Sequence, residues 1–497
     1  MGGLSKKAHI LEKTIKENNK PALLVDAGAL LFDRPRLSPG TEQQAQINAT
    51  GIVEAYNAMH YDAVAVSGQE LAAGLSFLLA LKEKSQFTWL SANLVRKSTN
   101  QPLFASSLIK KIGNLKVGIT ALTSPEEPGI LTQSDDAMIM AWEQTLPAVI
   151  KQLAGSADMI ILLSSLPAHL NTDITKLHPE IHIIVQAEQR SANMPPQLQN
   201  KTLICQTAKQ GKYLGLLQFS WSKSKVWGDD KNTMIIDKSR EIDQLVWQIK
   251  GYKSRGEPEV VYKDDRSHLE IYHNLVRQKE ALVKEVNTLK SVMEQERARG
   301  TAAGSFTNDF IELDAGLPNH PKVHAIIQQT KERINSLGRR QSSIAPQRAL
   351  EPLPSLSAPS DTAAAGGSLF AGWMACAGCH AENVNGWQGN GHAHAYQSLV
   401  SSEQQFNLNC LPCHVTDKGA DGTDHLLDLS ADLKAVGCEA CHGAGRRHAD
   451  DPGKWQVVAK PTADTCTRCH TQERDNTFDY ASAVSRIACA RTEIVAN

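Results

Sequence analysis

Apolar residues in the first part of the chain gather in short runs rich in β-branched side chains, and these alternate with stretches of helical spacing. The runs are residues 22–32, 61–67, 87–94, 116–123, 157–165, 181–187, 202–207 and 213–221. Met159-Ile160-Ile161-Leu162-Leu163 is apolar without a break, the pattern of a strand covered on both faces. Residues 42–59 and 137–153 instead carry their apolar positions at helical intervals. Together they predict a layered α/β domain over residues 1–222.

The pattern changes over residues 223–339. A heptad places Tyr272, Lys279, Val286 and Met293 at one seam position and Leu275, Leu282 and Leu289 at the other, with Lys, Glu and Arg on the flanks. A second helix is predicted from Pro321 to Leu337, after the turn-rich residues 300–304 and 316–321. This makes a helical, coiled-coil-like arm. An antiparallel hairpin and a dimer seam fit the heptad equally well, and the latter would join two copies of the chain through the arm. Residues 340–368, rich in Pro, Ser and Ala without periodicity, read as a flexible linker that leaves the last segment free to move. Residues 369–497 hold too few large apolar side chains for an ordinary core, which predicts a small, mostly α and irregular domain built around something other than its own side chains.

At 497 residues the chain is long enough for about three domains. Its 52 Lys+Arg against 53 Asp+Glu give a net charge of −1, so no global basic field points to nucleic acid. No apolar run reaches the roughly 18–20 residues of a membrane-spanning helix, so none is predicted in this chain.

The missing core of the last segment is explained by its cysteines. Cys376-Ala377-Gly378-Cys379-His380, Cys410-Leu411-Pro412-Cys413-His414, Cys438-Glu439-Ala440-Cys441-His442 and Cys466-Thr467-Arg468-Cys469-His470 are four copies of CxxCH. Each reads as a c-type haem attachment site: two thiols add across the vinyl groups, and the adjacent His binds the iron as proximal ligand. Zinc also takes Cys and neutral His, but does not require a His directly after every second Cys. The motifs imply four haem c groups, with the porphyrins supplying the core. Apo-protein is then expected to be largely unfolded. Covalent haem attachment takes place outside the bacterial cytoplasm, so a periplasmic or extracellular location is expected. The first seven residues show no apolar signal core, and a longer native N-terminus is expected. Cys205 reads as an inert buried thiol.

Beyond the motifs, the segment resembles the tetrahaem cytochromes c of the c-554 type, electron carriers of nitrogen metabolism. The resemblance rests on Trp387 and His392-Ala393-His394-Ala395-Tyr396 after the first motif, on Val436-Gly437 before the third with Gly443-Ala444-Gly445 and His448 after it, and on Phe478-Asp479-Tyr480 after the fourth. It implies His392 and His448 as distal ligands; His394 and His425, to which the resemblance assigns no role, are further candidates. It also implies an axial His eleven residues after Phe478, where this chain has Cys489. A thiolate, an empty position, or an imidazole from elsewhere, including His394, His425 or the arm's His268, His273, His320 and His324, would then complete that iron. At least one of the four haems is expected to lack bis-His ligation.

The α/β domain resembles the calcineurin-like phosphoesterases of the 5'-nucleotidase and UDP-sugar hydrolase group, on Leu24-Val25-Asp26-Ala27-Gly28, Asp62-Ala63-Val64-Ala65-Val66, Leu90-Ser91-Ala92-Asn93-Leu94 and Val117-Gly118-Ile119-Thr120 in that order. The resemblance implies a two-metal site that activates water against a phosphate ester. At the matching positions this chain has Ala29 for Asp, Ser67-Gly68-Gln69-Glu70 for Gly-Asn-His-Glu, Ser164-Ser165 for Ser-His, and Ala187-Glu188-Gln189-Arg190 for Gly-His-x-His. Asp26 and Glu70 remain. No catalytic residue is therefore assigned, and the domain is expected to be a scaffold that has outlived its activity. The function expected is an exported electron carrier acting between redox partner proteins. The alternatives are a redox enzyme with one open haem acting on a small nitrogen or sulfur compound, and a residual 5'-nucleotidase-type hydrolase.

Overall fold

The computed structural model describes residues 3–487 except 126–130, 132–134, 188–192, 209–210, 222–225, 229, 255, 299–302, 349–368, 418–423, 472–473 and 476–477. The chain forms two compact units: Met1–Arg36 with Ile52–His324, and Leu37–Gly51 with Ala325–Asn497.

In the first unit the strands are β1 (Val25–Asp26), β2 (Ala63–Ala65), β3 (Thr88–Leu90), β4 (Leu94–Val95), β5 (Ser107–Ile112), β6 (Leu115–Leu122), β7 (Met138–Ile139), β8 (Met159–Ser164), β9 (Ile183–Gln186), β10 (Met194–Gln199), β11 (Thr202–Gln206), β12 (Tyr213–Ser220) and β13 (Ser305–Glu312). Six of them form one sheet in the order β10-β11-β9-β8-β6-β5, parallel in its centre and antiparallel at both edges. A parallel three-stranded sheet, β1-β2-β3, shares its core: Ala63, Ala65 and Leu90 pack with Val117, Ile119, Met159 and Ile161. The helices Trp142–Ala154 and Ala168–Leu177 cover the other face of the large sheet through Leu146, Ile150, Leu153 and Ile174. Every residue of β8 is buried, as its unbroken apolar run requires. Gly118 lets the helix approach β6, since a Cβ there would lie 2.9 Å from a methyl of Leu153.

The arm's heptad is on the helix Arg266–Ala298, and its partner is the helix Asp230–Lys253. Val286, Met293 and Leu289 pack on Ile235 and Ile242. One element of this region is absent from the sequence reading: β13 pairs antiparallel with β12 along its whole length, from Tyr213↔Glu312 to Ser220↔Ser305. Phe306 is buried there, edge-on to Trp227.

The helix that starts at Pro321 belongs to the second unit from Ala325 and runs on to Arg348, through residues whose composition reads as linker; the rest of that stretch, 349–368, lies outside the described residues. Lys331 and Asn335 donate to the carbonyls of Ser402 and Glu403 at 3.0 and 3.1 Å. Gly338 lies so close to Phe406 that a Cβ would be 2.5 Å from the Phe406 Cβ. Gln44 completes the clamp, donating to Phe406 O at 2.7 Å and accepting from Leu408 N at 3.0 Å. The segment's own apolar cluster is small, centred on Leu399, Leu408, Leu411, Val415, Leu426 and Leu427. The helices Trp373–Ala377, Arg446–Asp450, Ala463–Thr467 and Tyr480–Ile487 have no buried residue.

Candidate haem centres

Each CxxCH motif is wound into a helical turn. The N–H groups of Cys379 and His380 donate to Cys376 O at 3.3 and 2.9 Å, and those of Cys469 and His470 to Cys466 O at 3.1 and 3.0 Å. Cys413 N–H donates to Cys410 O at 3.1 Å, and the third motif is the helix Cys438–His442. A spacing of three residues puts both thiols of a turn on one side.

The imidazoles are oriented by their Nδ1 atoms. His414 Nδ1–H donates to Ala395 O at 2.7 Å, His442 to Val458 O at 2.6 Å, His448 to Trp455 O at 2.8 Å, and His470 to the Asp475 carboxylate at 2.8 Å. A ligating His typically donates its second ring N–H to such an acceptor, which fixes the tautomer and turns Nε2 toward the metal.

Two pairs of imidazoles face each other. The ring centroids of His380 and His448 are 6.5 Å apart with planes at 23°, and those of His392 and His470 are 6.1 Å apart with planes at 65°. Two imidazoles that share one metal through bonds of about 2 Å, each ring centre about 1 Å behind its ligating nitrogen, have centroids about 6 Å apart. Both pairs therefore fit one iron each, with a motif His on one side and a distant His on the other. Burial and the neighbouring His470 lower the pKa of His392, which favours the neutral, ligating form. The donor set thus suits haem c: paired thiols, an adjacent imidazole, and for two of the motifs an opposing imidazole at one-iron spacing.

Other candidates are placed elsewhere. His425 turns its Nε2 to Asp417 at 2.9 Å. His394 caps the helix Ala395–Ser401 through its backbone. In the first unit His268, His273 and His320 each hold a carboxylate, of Asp265, Glu259 and Glu12 respectively. Cys489 lies outside the described residues. Cys205 is partly buried against the first unit's core, and desolvation pushes its thiol up to about 12, in keeping with an inert packing role.

The thiol of Cys438 is within hydrogen-bonding reach of that of Cys376. With haem attached at both motifs, these sulfurs would be thioether anchors, one of the first motif and one of the third. Glu439, inside the third motif and 5% exposed, bonds the same junction: it accepts from Ala371 N and Gly372 N at 2.8 Å each and from Gly445 N at 2.7 Å. A charge inside CxxCH reads in sequence as solvated, and nothing local shows that it folds inward.

The hydrolase-like positions are organised differently. Ser67 and Glu70 form a capping box over the short helix Gly68–Leu71, with Ser67 N and Oγ bonding the Glu70 carboxylate at 2.8 and 2.5 Å. The same carboxylate accepts from Ala29, Leu30 and Leu31 N at 3.2, 2.6 and 3.3 Å. Glu70 is fully buried, and burial raises its pKa against the opposing pull of these bonds. Asp26 accepts from Tyr56 Oη at 2.7 Å and lies 3.9 Å from the Lys7 ammonium. Ser165 bridges Ser124 N and Leu122 O at 2.9 and 3.2 Å. Glu188 and Arg190 lie outside the described residues. Among the described residues no group of three His, Cys, Asp or Glu side chains is placed to hold a metal ion, and no helix is long and apolar enough to cross a membrane.

Residues 375–443 match the family described as cytochrome c554 and c-prime. Cytochrome c-554 of Nitrosomonas europaea is 31% identical over 100 residues, 17% of this chain and 43% of that protein. An uncharacterized metallophosphoesterase of Bacillus subtilis, YunD, is 26% identical over 174 residues, 34% of this chain and 37% of that protein. The chain therefore spans less than half the length of either relative. Among solved structures, the sulfate thiohydrolase SoxB of Thermus thermophilus aligns with a TM-score of 0.44 at 16% identity, over 71% of this chain and 48% of that one. The chain thus joins a C-terminal segment that matches the cytochrome c554 family to a segment similar to a metallophosphoesterase.

Proposed function

We propose that this chain is an exported c-type cytochrome that relays electrons between redox partner proteins through four covalently bound haems, carried on the same chain as a phosphoesterase-like scaffold without hydrolytic activity. The observation that carries the reading is the spacing of the two imidazole pairs, His380 with His448 and His392 with His470. Haem c supplies a one-electron ferric/ferrous couple when bound. The chain's residues would do the rest: the eight motif thiols would fix the four porphyrins, two thiols to each, the Nδ1 acceptors would hold the imidazoles, and the two imidazole pairs would leave two irons no position for substrate. An iron closed in this way exchanges electrons and does no chemistry on a ligand.

The scaffold half of the proposal rests on Glu70, whose carboxylate is taken up by backbone N–H groups and Ser67, and on Ala29, a methyl where the resemblance places a metal ligand. Periplasmic or extracellular export follows from where haem c is attached. The test is denaturation followed by acid–acetone extraction and intact mass. Haem retained at four per chain is expected, while haem released, or zinc in its place, overturns the proposal. In parallel, no turnover of 5'-nucleotides or UDP-sugars is expected with Mn, Zn or Mg. Turnover abolished by Asp26→Ala would restore the hydrolase.

A further inference from the structure

We propose that the segment Arg446–Lys460 is the docking face for an acidic redox protein and the point where electrons cross the surface; this rests on the electron-relay reading above. The segment touches two haem centres at once. Trp455 O accepts from His448 Nδ1, on the first iron, and Val458 O accepts from His442 Nδ1, on the third. The side chains of these two residues face outward, Trp455 40% and Val458 54% exposed. A partner seated on them would be one hydrogen bond from the axial imidazoles of two haems.

Charge identifies the partner. Residues 369–497 are acidic as a whole, with 15 Asp and Glu against 10 Lys and Arg. Yet four of those ten cations, Arg446, Arg447, Lys454 and Lys460, lie between 446 and 460, against two acids, Asp450 and Asp451. Arg446 is partly spent on Phe370 O at 3.1 Å, and Asp451 accepts from Lys454 N at 3.3 Å. Arg447 and Lys454 flank the exposed indole, 4.8 and 5.6 Å from its ring centre. An apolar centre ringed by cations on an otherwise acidic module selects a partner with an acidic rim, steers it in at low salt, and repels basic proteins from no other face. Arg and Trp are also the residues that most often anchor protein interfaces.

The experiment uses the full haem-loaded chain and reduced plant-type ferredoxin, a small acidic iron–sulfur protein. One electron passes from the cluster, which is oxidised, to a ferric haem, which becomes ferrous. Stopped-flow rates are compared for the parent, Arg447→Glu with Lys454→Glu, Trp455→Ala, and Lys434→Glu as the same kind of charge change away from the segment. The double reversal is expected to slow reduction about tenfold at low ionic strength, with the gap closing as salt is added. Trp455→Ala is expected to slow it at every ionic strength, and Lys434→Glu to leave it within about twofold. Equal loss in Lys434→Glu, or no loss in the double variant, overturns the proposal. So does binding of phosphatidylserine vesicles that the double variant loses while its ferredoxin rate stays unchanged, since the face would then belong to a membrane. Complete reduction of each variant by dithionite tests the haem reading separately.

Discussion

Replacing Glu439 tests how the first and third haem sites are joined. Its carboxylate makes three short bonds to backbone donors, Ala371 N, Gly372 N and Gly445 N, and is 5% exposed. Bonds to a charged acceptor contribute about 1.5–3 kcal/mol each, against a desolvation cost of several kcal/mol for the buried charge. Glu439→Ala removes the acceptor and leaves the donors buried, a loss of about 3–5 kcal/mol. Relaxation is restricted because Gly372 is at φ +82 and a Cβ there would meet the Asp432 carboxylate at 1.8 Å. Glu439→Gln keeps the shape and one acceptor oxygen but turns an amide donor toward Ala371 or Gly372, for a loss of about 1–3 kcal/mol. The Gln variant also removes a fixed negative charge beside Cys376, on which Glu439 acts electrostatically. Loss of that charge disfavours the ferric state, so one haem potential should rise, on the order of tens of millivolts. Thermal unfolding followed by circular dichroism and a potentiometric titration of the haem bands measure both effects. A Gln variant with an unchanged melting temperature, or with a potential that falls, would refute this account of the junction.

His448→Gly and His392→Gly should each turn one six-coordinate haem five-coordinate; paramagnetic resonance of the oxidised protein should show one low-spin signal replaced by a high-spin one, reversed by added imidazole. Gly338→Ala should cost about 1–3 kcal/mol through the clash with Phe406, read as a lower denaturant midpoint and partly relieved by Phe406→Leu. Alkaline pH should unfold the first unit. Burial holds the Tyr56 phenol well above its usual range, and for Lys7 the opposing effect of burial is outweighed by Tyr61 and Asp26, which raise it. A raised pKa means the folded state keeps protons that the unfolded state has lost, so stability should hold up to about pH 10 and fall above it. Denaturant midpoints between pH 9 and 11 check the sign, and Tyr56→Phe should make the slope shallower.

What the sequence revealed follows the range of the interactions. The CxxCH motifs are legible because the chemistry requires contiguous residues, and the alternation of buried strands with helices is legible because each element must cover its neighbour. The opposing imidazoles are not, since His448 meets His380 and His392 meets His470 across long loops; only the resemblance to a known cytochrome family named His392 and His448. β13 is hidden by turn residues before it and by Asp309 and Glu312 within or at the end of it, although Phe306, Phe310 and Ile311 carry strand propensity. The helix through Arg348 defeats composition because Ser342, Ser343 and Pro346 read as linker, while its course is set by the contacts that Asn335, Gly338 and Ser342 make with residues 402–428. The Nδ1 acceptors are mostly backbone carbonyls, which any residue provides.

The loop that resembles a hydrolase site shows how such a fold persists on its own contacts. Gly28 and Ala29 both have positive φ, +100 and +58, a conformation that costs energy for alanine and needs support from its surroundings. The support is Glu70, which gathers the N–H groups of residues 29–31, and Ser67, whose hydroxyl accepts from Ala29 N at 3.0 Å. Asn93 is equally occupied: its amide donates to Thr123 O and Met140 O at 2.8 and 3.1 Å, and its oxygen accepts from Thr123 N at 2.8 Å. On the neighbouring side the Lys7 ammonium supplies positive charge to Asp26, through Tyr56 at 2.9 Å and directly at 3.9 Å. Buried polar groups are costly only when they lack partners. Backbone, hydroxyl and ammonium groups are those partners here, so the loop's shape is held by contacts within the chain, with Ala29 where the resemblance places a metal ligand and Gln69 where it places a catalytic His.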